Sequence, residues 1–213
     1  MTRPPAQRSG RFARAFAAAV PRMDARGAAA HRARLLAGLT GTVLEVGAGT
    51  GACFGHYPPQ VTAVRAVEPD PFLRELATRA AAAAPVPVTV VAGTAEELPA
   101  AAGEFDAAVC SLVLCSVPDP DTALAGIRRA LRPGGQLRFY EHVRSTHRFV
   151  GLIEDAATPL WAALAGGCHP NRDTAAAITR NGFTIDAVDR FGFAPAALTP
   201  RTAHLIGRAH VTP

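Results

Sequence analysis

The sequence contains no lysine, so all 22 of its Lys-or-Arg positions are arginine. That removes the catalytic Tyr–Lys pair expected of an NAD-dependent oxidoreductase. Aromatic residues are scarce, at 6%. The net charge of +5 and a pI near 9.7 would permit nucleic-acid binding. Scattered arginines and few aromatic side chains argue against a nucleic-acid partner. No apolar run approaches the length of about 18 residues that suggests a membrane-spanning helix, so no integral membrane segment is expected. Cysteine is limited to Cys53, Cys110, Cys115 and Cys168, with no C-x-x-C pair and no secretory signal. Reduced thiols in a cytoplasmic protein are the corresponding expectation.

What is present is enough for one sizeable core: 213 residues, 49% of them apolar, suit one main domain better than two. The first 23 residues carry five arginines and no acid. This composition resembles a transit peptide. The recurrence of Phe12, Phe16 and Val20 would also suit a helix lying on a membrane surface, with peripheral contact through residues 8–20. A short apolar stripe of this kind more often faces a protein core. Residues 1–34 therefore read as an N-terminal helical segment, partly flexible with a loose tail through Gly10, ahead of a main domain at 35–213.

Along that domain, short apolar runs alternate with helical patterns. Strands are expected at 42–48, 61–69, 86–93, 105–114 and 136–143, followed by a final pair at 184–193 and 202–210. Helices are expected at 11–20, 24–38, 71–84, 119–131, 148–166 with a break near Pro159, and 171–183 with Asn171 as N-cap and Gly182 at the C-terminus. The pattern predicts an α/β fold with a doubly wound, mostly parallel seven-stranded sheet and an antiparallel C-terminal edge.

"LEVGAGTGACF" at 44–54 spans the end of the first strand and the turn after it. Glycines there let backbone approach a ligand closely. Gly47, Gly49 and Ala52 also satisfy the dinucleotide pattern G-x-G-x-x-A, so the loop alone is ambiguous. Its neighbours sharpen the reading. Glu45, two residues before Gly47, can hold a cationic amino group, whereas it would repel a pyrophosphate. Glu68 ends the second strand and can accept two ribose hydroxyls. Ala95 and Glu96, in the "GTAEELP" turn, can clasp an adenine.

E-x-G-x-G-x-G, the acid after the second strand, "GTAEELP", "FDAAVCS" and "LRPGG" resemble the class I S-adenosylmethionine-dependent methyltransferases, over about residues 40–145. The resemblance implies S-adenosyl-L-methionine as cofactor. It implies Glu45, Gly47, Ala48 and Gly49 at the methionine half, with Ser111 and Leu112 beneath. It places Glu68 at the ribose, and Pro69, Asp70, Phe72, Thr94, Ala95 and Glu96 about the adenine. Asp106 is expected to serve the fold. "LVLCSVPD" at 112–119, "YEHVR" at 140–144 and "PLWAALAGGCHPNRDTAAAITRNGF" at 159–183 resemble, more narrowly, the methyltransferase-like thiol methyltransferases and their bacterial relatives. That likeness implies a small, apolar acceptor methylated at sulfur or oxygen. A C-methyltransferase of a quinone-like or natural-product ring, or a cofactor-binding protein without turnover, is the alternative. The chain departs from the membrane-bound members in having no transmembrane anchor, and offers only Phe16 where they carry an aromatic–acid pair.

Acceptor residues are expected at the carboxyl ends of the fourth and fifth strands. His142 is the candidate general base, because imidazole exchanges protons near neutral pH. Cys115, Glu141, Cys168, His169 and Arg172 are expected to line the acceptor pocket. A metal would require Cys168, His169 and His142 to be gathered by tertiary folding. The adjacent pair points apart in most backbones, so no metal is expected.

Overall fold

A computed structural model of the chain describes residues 6–195, 199 and 201–212, residues 6–9 by their backbone alone. The expected tail ahead of Gly10 lies partly outside these residues, and helix already runs from Ala6. Seven strands, β1 (Gly41–Val46), β2 (Val61–Val67), β3 (Val88–Val91), β4 (Phe105–Ser111), β5 (Leu131–His142), β6 (Phe183–Phe193) and β7 (Thr202–Val211), form one sheet in the order β3-β2-β1-β4-β5-β7-β6. The first five strands are parallel, and β7 runs antiparallel between β5 and β6. The order reverses at β1, and β1 and β4 carry the inner sheet. Val43, Leu44, Glu45 and Val46 are all buried, as are Ala107 to Cys110. Strands covered on both faces have no solvent side, hence their continuous apolar reading. Leu44, Val46, Ala108 and Cys110 enter one core layer, and Val43, Ala107 and Val109 the other.

Among the described residues six α-helices accompany the sheet: α1 (Ala6–Met23), α2 (Ala29–Leu36), α3 (Pro71–Ala81), α4 (Pro120–Ala130), α5 (Arg148–Leu164) and α6 (Thr174–Arg180). The dipeptide Asp-Pro starts two of them in the same way. Asp70 accepts from the Phe72 and Leu73 N–H groups, and Asp119 from those of Asp121 and Thr122, with the proline at the first helical position. Proline suits that position because its missing N–H would have had no partner there. Asp106 is a fold residue as expected: at the start of β4 it accepts from the Thr42 N–H at 2.7 Å and hydroxyl at 2.9 Å, and pairs with Arg132.

Two expectations are corrected. Helix α5 continues through Pro159 without a break. The residue removes only the N–H donor to the Asp155 carbonyl, on a helix that is largely exposed to solvent. The N-cap of α6 is Asp173, whose side chain accepts from the Ala176 N–H; Asn171 instead donates to Asp155 at 3.1 Å.

Ahead of the sheet, α1 and α2 join through a wide turn, Asp24–Ala28, in which Gly27 adopts φ 119°. The stripe foreseen on α1 faces the domain. Phe12 lies against Gly166, Phe16 against Gly49, and Arg14 sits 5.6 Å over the Phe72 ring. No described helix is long and apolar enough to cross a membrane.

Replacing Asp173 by alanine should lower stability by about 1 kcal/mol, the usual worth of an N-cap. Urea unfolding checks this against Asn171→Ala: a larger loss at Asn171 would restore it as the cap.

Candidate functional site

The carboxyl ends of β1, β2, β4 and β5 converge on two adjoining loop systems. On the donor side, the chain leaving β1 turns through Gly47, Gly49 and Gly51, at φ 68°, 58° and 78°. Such left-handed backbone favours glycine. A Cβ on Gly47 would lie 2.7 Å from a Val113 methyl, so this position has no room for a side chain. Its N–H groups at Gly47 and Ala48 donate to the Val67 carbonyl at 2.8 and 3.0 Å, which ties it to the end of β2.

Glu68 completes that tie. One carboxylate oxygen accepts from the Gly49 N–H at 2.7 Å and the other from the Asp70 N–H at 2.9 Å. Burial raises its pKa, and those two N–H donors oppose the rise. Each oxygen retains a second lone pair, so a ribose diol still finds acceptors there.

Glu45 is buried beneath the loop and accepts from the Tyr57 hydroxyl at 2.6 Å. Burial pushes its carboxyl up to about 7, with the hydrogen bond from Tyr57 acting the other way. An acid held this far up has room for a cationic partner, because an ammonium group beside it would restore the charged form. The glycine cradle, the acid that ends β2 and this under-neutralised acid together fit a ligand with an amino-acid head and a ribose. At the expected adenine side, Ala95 is buried, the Thr94 hydroxyl accepts from the Glu97 N–H at 3.1 Å, and Glu96 reaches the Asp119 N–H at 3.5 Å. Pro69 is exposed, and Phe72 presents its ring to Arg14.

On the acceptor side, Leu112 has φ 61°, the only positive value among described non-glycine residues. The conformation costs on the order of 1–2 kcal/mol. It is held by a 2.6 Å hydrogen bond from its N–H to the Tyr140 carbonyl, just past Ser111. The next three N–H groups, of Val113, Leu114 and Cys115, all donate to Glu141, at 3.1, 3.0 and 3.0 Å. Burial pushes Glu141 well above the usual carboxylate range, and the Leu114 and Cys115 N–H groups pull against it. From the other side, Arg172 donates to the carbonyls of Leu114 at 2.8 Å and Val117 at 2.7 Å, and the His169 N–H donates to the Cys115 carbonyl at 2.7 Å. Glu141, expected to line the acceptor pocket, is instead fully buried under this loop, and Arg172 spends its Nη1 on the same loop. They clamp loop 112–117 from opposite sides. The His169 ring is also spent locally, its Nδ1 on the Gly167 carbonyl at 2.6 Å.

The clamp brings three of the anticipated residues together. His142 Nδ1 lies 3.5 Å from Cys168 Sγ and 3.8 Å from Cys115 Sγ. Ser116 Oγ is 3.6 Å from Cys115 Sγ. The neighbouring Cys168 thiol pushes Cys115 up to about 12, with burial adding to it, and Cys115 in turn holds Cys168 below the usual thiol value. The Trp161 indole N–H also favours the Cys168 thiolate, although it is buried with no partner at ordinary hydrogen-bonding distance. Cys53 and Cys110 are free thiols buried elsewhere.

Sequence reasoning missed the aromatic wall beside this cluster. The His142 ring lies 4.2 Å from that of His204, tilted by 44° to it, and burial lowers the His204 pKa to about 3. Tyr140, His31 and Phe191 continue the wall, with His31 Nδ1 hydrogen-bonded to the Tyr140 hydroxyl at 3.2 Å. Strand alternation could have found Tyr140, two residues before His142 and so on its face. No local signal marks His31 or His204. A cleft of about 760 Å³ lined by Arg128, Arg129 and Arg180 opens elsewhere, by the start of β5. Sheets of this kind hold their ligands at the carboxyl ends, which favours the loop systems over the cleft.

Comparison with known proteins bears on the family. Residues 44–139 match the family described as Methyltransferase domain. The chain is similar to thiol S-methyltransferase TMT1B of Homo sapiens, 34% identical over 181 residues that span 81% of this chain and 73% of that protein. It is also similar to human thiol S-methyltransferase TMT1A, 35% identical over 67% of this chain and 60% of that protein. Among solved structures, a SAM-dependent methyltransferase of Thermotoga maritima superposes with a TM-score of 0.74 at 22% identity, covering 97% of this chain and 99% of that one. This last likeness concerns the fold.

Glu141→Ala would strand three N–H groups in the interior, each costing about 1–3 kcal/mol. Thermal unfolding should show a loss of at least about 3 kcal/mol. A change under about 1 kcal/mol would show that solvent replaces the clamp.

Proposed function

The chain belongs to the class I S-adenosylmethionine-dependent methyltransferases, and from that premise we propose that it methylates the sulfur of a small, apolar thiol. The cofactor supplies an electrophilic methyl carbon on a sulfonium. The protein's part is to hold donor and acceptor in line, which can supply much of the acceleration. Glu45 receives the amino group of the methionine half, and the backbone of Gly47, Ala48 and Gly49 lies along it. Glu68 receives the ribose, and Ala95 and Glu96 the adenine. Ser111 and Leu112 pass beneath the reacting end.

One observation carries the choice of acceptor: Glu141, at the carboxyl end of β5, and Arg172, after α5, are engaged by the scaffold. With Glu141 and Arg172 clamping the loop, the groups left on the acceptor side are thiols, a hydroxyl, imidazole and aromatic rings. Such a lining accepts a neutral, polarisable molecule better than an anion or cation. The thiol S-methyltransferases resembling this chain over most of its length support sulfur. A thiol, with a pKa near 8.5, also needs less help to ionise than an alcohol. His142 promotes that ionisation, so the site needs neither a covalent intermediate nor a strong base.

Two outcomes test this reading. The purified protein should transfer methyl from the cofactor to alkyl thiols faster than to phenols or quinols, and His142→Ala should reduce turnover by about tenfold or more with cofactor affinity unchanged. Preference for a phenol would move the acceptor atom to oxygen. Because Glu45 titrates at about 7 and must be ionised to meet an ammonium group, cofactor affinity should weaken on acidification below that value. The limit is about tenfold per pH unit. Calorimetry across pH 5–8 (roughly the range in which linkage to such a group is visible) checks it. Glu45→Gln should flatten the profile, and an unchanged slope would remove Glu45 from the amino-group site.

A further inference from the structure

Cys115, Cys168 and His142 come from three separate parts of the chain: the loop after β4, the loop after α5 and the last residue of β5. Their ligand atoms nevertheless lie within 4.8 Å of one another. From this geometry we propose that the three residues form a zinc site with an open fourth position, at which the acceptor thiol binds as thiolate. The site rests on the proposed function in one respect, that the acceptor is a thiol.

The two nitrogen–sulfur distances are close to those of a tetrahedral site. Zn–S bonds of about 2.3 Å and a Zn–N bond of about 2.0 Å, meeting at the tetrahedral angle, set nitrogen about 3.5 Å from each sulfur. His142 Nδ1 is 3.5 Å from one sulfur and 3.8 Å from the other. An ordinary packing contact does not require one ring nitrogen to face two thiols. Two sulfurs and an imidazole also form a soft donor set that favours zinc over magnesium or calcium. Three protein ligands with a fourth position open are the pattern of reactive zinc sites, whereas structural sites are closed by four.

The surroundings supply what such a site needs. Both cysteines sit on backbone already fixed, Cys115 by Glu141 and by the His169 N–H, Cys168 by its own N–H on the Ala165 carbonyl at 3.1 Å. The Trp161 indole N–H is buried without another partner and lies by Cys168, placed to donate to a metal-bound sulfur. His204 packs on the His142 ring and restrains it. Groups of this kind orient ligands and tune their basicity.

The chemistry balances without a redox step. Cys115 and Cys168 release their protons to solvent when zinc binds. The acceptor thiol enters the fourth position and loses its proton to solvent, because a coordinated thiol is deprotonated outright. An electron pair on the thiolate sulfur then forms a bond to the methyl carbon. The bond from that carbon to the sulfonium breaks, and its electron pair stays on the cofactor sulfur. The product is a neutral thioether, a poor zinc ligand, and it leaves. His142 acts here as a ligand through Nδ1, which is how it promotes ionisation of the acceptor.

The test uses the full chain, reduced and stripped of metal, then incubated with zinc or cobalt(II) and desalted. Wild type should retain one zinc per chain. Cobalt should give thiolate charge-transfer bands and the intense visible bands of a tetrahedral site, and adding an alkyl thiol should shift both. Cys115→Ser, Cys168→Ser and His142→Ala should each lose the metal. Cys110→Ala, which removes a thiol outside the cluster, should keep it. A cofactor-induced rise in melting temperature confirms that each variant is folded. No retained metal in folded wild type would overturn the proposal. So would equal retention by Cys168→Ser, or thiol methylation at full rate by metal-free protein, which would leave the thiol reading standing. A disulfide between Cys115 and Cys168 that forms in air, with no zinc bound after reduction, would overturn it in favour of a redox pair. Zinc bound at these residues without methylation of any thiol would support the metal site and overturn the choice of acceptor.

Discussion

The acceptor half of the molecule depends on one buried carboxylate. Glu141 leaves the end of β5 into the interior and collects three consecutive N–H groups from the loop after β4. Without it, those donors would face apolar surroundings at a cost no single side chain could offset. With it, the loop keeps a left-handed Leu112 and turns Cys115 toward β5. Arg172 then binds the same loop by its carbonyls. Acid on the donors and base on the acceptors make a complementary pair of clamps, although the two side chains need not touch.

The donor half obeys the same logic. Glu68 fastens the glycine loop to the end of β2 through the Gly49 N–H, so the loop takes its shape from protein contacts alone. The two halves meet where Gly47 lies against Val113, the first residue clamped by Glu141. That contact sets the separation between donor and acceptor sides. Neither residue carries a functional group, yet a larger side chain at 47 would force the loops apart.

Much of the fold could be read in advance, because its signals are local. Strand alternation, the glycine loop and the Asp-Pro starts of α3 and α4 each lie within a few residues. The candidate cofactor residues could be named for the same reason, as they follow strand ends in order. The misreadings share a different cause. Asn171 and Asp173 are both good caps, and only the contact between Asn171 and Asp155 decides between them. Glu141 was placed in the pocket beside His142, although neighbouring residues on a strand point to opposite faces; the alternation rule already separated them. The meeting of Cys115, Cys168 and His142 could not be read locally. His142 is 27 residues from Cys115 and 26 from Cys168, and a span of that size carries no periodic signature.

Helix α1 touches both halves, with Phe16 on Gly49 and Phe12 on Gly166, one turn apart on a single helix. A rigid rod seated on two loops makes them one mechanical unit. It cannot rise from the acceptor loop while staying down on the glycine loop without bending. The backbone offers its departure from helical geometry at Gly27, beyond both contacts. The two loops therefore share one roof, and a change that displaces the helix from one bears on the other.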